Sequence, residues 1–171
     1  TTDKGRFVPH LSRAFLLLLV SVFAASIADA QTTFQKRVAT GNDDAEEDAD
    51  DGEIDLDSSD LELTDGQAAI GMRFTSVTIP QGATITDAYI QFTVDETSSG
   101  SVSLTIRGQD TDDASGFTSS DYNISSRSKT SASVAWSPSA WNNEGDAGAG
   151  QRTPDLTSIV QEIVTRSGWS R

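Results

Sequence analysis

The chain contains no cysteine, and its only histidine is His10. Once the first 30 residues are set aside, for the reason given below, neither imidazole nor thiol remains. Ser-His-Asp and Cys-His nucleophile systems need an imidazole base and are closed to such a chain. Zinc sites built on His or Cys are closed, as are haem held by either and cysteine-ligated iron–sulfur clusters. No glycine-rich dinucleotide or P-loop pattern occurs. What survives is carboxylate chemistry: an acid pair of the glycosidase kind, or a cation held through oxygen. Basic side chains are also scarce, 12 against 26 acids.

The N-terminus explains part of that balance. Lys4, Arg6 and Arg13 precede the apolar run AFLLLLVSVFAASIA at 14–28, and Ala28-Asp29-Ala30 sets small residues before Gln31. A basic start, a short apolar middle and an A-x-A end predict a secretory signal peptide over 1–30. The run falls short of the ~20 apolar residues that cross a bilayer. A secreted or cell-surface domain over 31–171 is expected, of a length that suits one core. The leader takes three basic and two acidic residues, leaving nine against 24, a net charge of −15. Such a body repels nucleic acid and anionic membranes, and it favours divalent cations. Without disulfides, packing and any bound cation must supply the stability.

Alternation carries the fold. Ile70, Met72 and Phe74 alternate with small or polar residues, and so do Ile90, Phe92 and Val94. Between them Ile79-Pro80-Gln81-Gly82-Ala83 reads as a turn. Further strands are predicted around Phe34 and Val38, at Ile54 and Leu56, at Leu61 and Leu63, over Val102, Leu104 and Ile106, and at Val134 and Trp136. One helix is predicted over 154–166, with Thr153 as N-cap, Pro154 at the first position and Gly168 as C-cap. Leu156, Ile159, Val160, Ile163 and Val164 form its apolar stripe. The expected fold is mainly β: an antiparallel, jelly-roll-like β-sandwich with one C-terminal amphipathic helix. Ending directly after a helix, the domain is expected to continue past Arg171 with a further strand or domains.

Two acidic knots are candidate calcium ligands: Asp43, Asp44, Asp48 and Asp50 in the first, Asp110 and Asp112 in the second. The EF-hand register fails. With Gly52 at its sixth position, Ala49 falls at the third and Ser58 at the twelfth, where ligands are required. A calcium site on a different loop remains as one reading. The charge pattern favours the other, a solvated acidic hairpin followed by a polar loop at 110–131. Trp141 and Tyr122 are candidate ligand-binding residues, because flat aromatic faces match the C–H faces of sugar rings. Trp136 shares its phase with Val134 and is expected in the core.

The stretch QAAIGMRFTSVTIPQGATITDAYIQFTV at 67–94 resembles the secreted bacterial β-sandwich modules of the DNRLRE type, which are similar to carbohydrate-binding jelly-roll domains. The matching elements are Arg73-Phe74, then Ile79-Pro80-Gln81-Gly82-Ala83-Thr84-Ile85, then Ala88-Tyr89-Ile90. The segment RTPDLTSIVQEIVTRSGW at 152–169 is similar to such domains as well. The resemblance implies a jelly-roll-like module of a multidomain extracellular protein, sometimes polysaccharide-associated, and supplies no catalytic residues. The acidic insertion at 43–51 lies outside it. The expected function is therefore non-catalytic: polysaccharide or cell-surface glycan binding, or surface attachment, with calcium support. A structural spacer ranks second and a carboxylate-only glycoside hydrolase third.

Overall fold

A computed structural model describes residues 10–12, 17–23, 31–63 and 67–170. The described residues form ten strands: β1 (His10–Ser12), β2 (Leu17–Phe23), β3 (Thr32–Arg37), β4 (Asp44–Asp48), β5 (Ile54–Asp55), β6 (Asp60–Glu62), β7 (Gln67–Met72), β8 (Thr84–Gln91), β9 (Leu104–Ile106) and β10 (Val134–Trp136). One α-helix follows, α1 (Thr157–Val164). The strands build four small antiparallel sheets, ordered β1-β6, β10-β9, β3-β2-β8 and β5-β4-β7. The architecture is thus antiparallel β with a single α-helix among the described residues.

Two expectations about pairing change. β7 and β8 are not hairpin partners: β7 pairs with β4, and β8 pairs with β2. The link between them crosses from one sheet to another. Its turn closes through Ala83 N–H donating to Pro80 O at 3.1 Å, with Gly82 at a φ of 70°. Gly82 N–H donates in turn to Val164 O, so the turn seats the end of α1. The second change concerns the apolar leader run. Its residues Leu17–Phe23 hydrogen-bond to β3 on one side and β8 on the other.

The helix begins at Thr157, three residues after the predicted start at Pro154. Thr153 is not its cap; its hydroxyl accepts from Ile90 N–H at 3.0 Å, and its own N–H donates to Ile90 O. Asp155 serves the first turn instead, its carboxylate accepting from Thr157 N–H at 2.8 Å. Leu156, Ile159 and Val164 are buried in the main core with Ile79, Ile85, Ile90, Phe92 and Val94. A smaller core gathers Ala45, Ile54, Phe117 and Ile124. Gln161 acts as a piece of strand: its amide accepts from Ile85 N–H at 2.9 Å and donates to Ala83 O at 3.0 Å.

Candidate functional site

The surprise is β4. Its sequence, DAEED, reads as solvated charge, yet Asp44, Ala45, Glu46 and Glu47 are all buried. The hairpin explains why. Asp48 and Glu53 bracket a turn, with Gly52 at φ 79°, so Ile54 on β5 must lie against β4. β4 is then the middle strand of its sheet, between β5 and β7. Alternate residues face opposite ways. Ala45 goes to the smaller core, while Glu46 sits directly across from Asp55 and Ile70.

Burying carboxylates demands donors. Asp43, just before the strand, takes a salt bridge from Arg73 Nη1 at 2.9 Å and the Thr40 hydroxyl at 3.0 Å. Glu47, 1% exposed, accepts from the backbone N–H groups of Ile124 and Ser125 at 2.9 and 2.8 Å. It thereby ties the long connection at 110–131 to the sheet. Arg127 ties the same connection from within, donating to the carbonyls of Asn123, Ser115 and Gly116 and to the side chains of Gln109 and Asn123. Its guanidinium also lies 4.4 Å from the centre of the Phe117 ring. This stretch is the polar surface connection expected from the sequence, pinned to the body by Glu47 and Arg127 and buried only at Phe117, Ile124 and Thr130.

Glu46 differs from its neighbours. Burial pushes its carboxyl up to about 7, assisted by the charges of Glu62, Asp60 and Asp55, and a hydrogen bond from Glu62 N–H opposes the rise. Glu46 opens onto a cleft of about 410 Å³ whose other acids are Asp48, Glu53, Asp55 and Asp57, with Ser119 on the facing wall. Tyr122 is not among the lining residues; half exposed at 52%, it sits on the adjoining hairpin turn, its N–H donating to Gly52 O and its ring over the Gly52 backbone.

The candidate residues are thereby separated. The calcium set does not converge, and among the described residues no three acidic side chains form a group able to hold a metal ion. Asp43 is occupied by Arg73. Asp48 accepts from Asp50 N–H at 2.7 Å, shaping the turn. Asp110 and Asp112 both pair with Arg166 just past α1, Asp112 at 2.7 Å. Trp141 is not an exposed sugar platform. It is 1% exposed, its indole N–H donates to Gly150 O at 3.1 Å, and its ring packs on Phe92 and Trp136. Only Tyr122 of that pair faces solvent. Glu46 was missed as a site residue. The signal for it was the hairpin: strands at Ile54 and Leu56 after Asp50-Asp51-Gly52 require a partner strand running back through Glu46.

No family model, curated protein or solved structure matches the chain. Among the described residues no helix is long and apolar enough to cross a membrane.

Proposed function

We propose that this chain is a non-catalytic extracellular module, serving attachment or the binding of a surface polysaccharide through the acidic cleft beside Tyr122. One observation carries the reading: Asp43, Glu47, Asp110 and Asp112 are each engaged by a backbone N–H or an arginine. They hold the body together and are not free to react. The sequence resemblance at 67–94 points the same way and supports a jelly-roll-like parent fold, though fold alone does not settle function. The cleft, lined by five acidic residues and no basic one, suits a neutral or amino sugar better than a uronic acid. A glycan array probed with the purified protein, with and without calcium, tests this. Retention of neutral or amino glycans, lost in Tyr122→Ala, is the expected result; a blank array returns the chain to the role of spacer.

One observation favours a second reading. The carboxyl of Glu46, pushed up to about 7 by burial, belongs to the residue paired across the strands with Asp55, and two acids so placed could serve as a glycosidase acid and its partner. Turnover of aryl glycosides that is abolished in both Glu46→Gln and Asp55→Asn would establish it.

A further inference from the structure

The chain has four asparagines, and the structure uses their amides differently. Asn42 Nδ2 donates to Phe117 O, Asn142 Nδ2 to Ala140 O and Asn143 Nδ2 to Asp146 Oδ2. At Asn123 the bonds fall on the other atom. Its Oδ1 accepts from Thr118 N–H at 3.1 Å and from Arg127 Nη2 at 2.8 Å. Two donors aimed at one atom fix which end of that amide is oxygen. Nδ2 makes no hydrogen bond among the described residues, and it is not a buried atom. Asn123 is half-buried in the turn at 121–126, with Asp121, Tyr122 and Ser125 exposed around it.

The fold does not need an amide at this position. A backbone N–H and a guanidinium are better met by a carboxylate, whose charge-assisted bonds are roughly twice as strong. Arg127 meets only carbonyl and amide oxygens, so an acid at 123 would also give it a counter-charge. What asparagine offers and aspartate lacks is the solvent-facing Nδ2. Asn123-Ile124-Ser125 is also the only N-x-[ST] stretch in the sequence, the acceptor pattern for an N-linked glycan. Asp121 extends it to D-x-N-x-S. We infer that Asn123 Nδ2 is an N-glycosylation site. This rests on the reading of the chain as extracellular, since the transferase meets exported chains. The glycan donor is an oligosaccharide carried on a lipid diphosphate. Nδ2 bonds to its anomeric carbon as the C–O bond to the diphosphate breaks. Nδ2 gives up one proton, and the diphosphate leaves with the bonding pair. Oδ1 keeps its lone pairs, so its bonds from Thr118 and Arg127 survive the transfer.

The test follows the full chain, exported with its own leader by a cell that has an N-oligosaccharyltransferase. Trypsin releases residues 108–127, which carry Asn123, for mass analysis. The expected peptide is heavier by one oligosaccharide attached at Asn123, in the parent and in Ser125→Thr. The glycan should be lost in Ser125→Ala, which leaves both Oδ1 bonds and the Ser125 N–H in place. Asn123→Asp should also lose it, yet melt no lower than parent chain made in a cell without the transferase. An exported parent bare at Asn123, or a glycan retained in Ser125→Ala, overturns the inference. So does an Asn123→Asp chain that melts well below the bare parent, because Nδ2 would then have structural work. A chain kept inside the cell sinks the extracellular reading instead, and export behind a host leader then decides the acceptor question by itself.

Discussion

Glu46 and Glu47 are neighbours on one strand with opposite consequences. A carboxyl pushed up to about 7 binds its proton more tightly folded than unfolded. Its contribution is therefore complete below the ordinary carboxylate range and is lost as pH rises through 7. Glu46→Gln keeps an acceptor for Glu62 N–H and removes the titration. The variant should melt higher than the parent at pH 8, and the two should converge near pH 4.5, as thermal melts across that range would show. Glu47 holds two backbone donors in a buried place. Glu47→Ala should cost about 2–4 kcal/mol in urea denaturation, the price of leaving those groups unmet. Glu162 works in the opposite sense to Glu46: the N–H groups of Ala132 and Ser131 hold its carboxyl below the usual range, so its contribution fades on acidification.

At the scale of elements, Gly71 on β7 is the seat of Phe117. A Cβ there would lie 2.4 Å from the ring, and the ring's retreat is limited by Arg127 4.4 Å from its centre. Gly71→Ala should destabilise by about 1–3 kcal/mol from overpacking, and Gly71→Ala combined with Phe117→Leu should recover part of that loss in the same denaturation assay. Elements with a clear period were legible in the sequence: β9, β10 and α1 fall within or near their predicted spans, because alternation or the i, i+3, i+4 stripe alone decides them. β4 was not legible. Its side chains are acidic, and its burial depends on donors contributed from 62, 124 and 125, which no local pattern announces. Thr153 misled for a related reason: it has the chemistry of a cap, but Ile90 on a distant strand claims its hydroxyl. The cleft was hidden with β4, since Asp48, Asp55 and Asp57 look like any solvated acids until the hairpin closes.

For the whole molecule, a formal net charge of −14 sets the response to ions. Self-repulsion weakens the compact state, and salt screens it over a Debye length of about 8 Å at physiological strength. The melting temperature should rise between about 0.01 and 0.15 M NaCl. With the acids dispersed among separate partners, calcium should add no more than magnesium at matched ionic strength. A calcium-specific rise by mass action would contradict that dispersion.

The placement of the indoles has a spectroscopic consequence. Trp136 and Trp141 are buried in the main core and Trp169 packs at its margin, its ring N–H on Ile79 O. The smaller core around Phe117 contains no tryptophan. Intrinsic emission excited at the red edge will therefore watch one half of the protein melt while the other half goes dark to the detector. If the acidic strand loosens first, circular dichroism will change before the fluorescence does; coincident curves would show that both halves let go together.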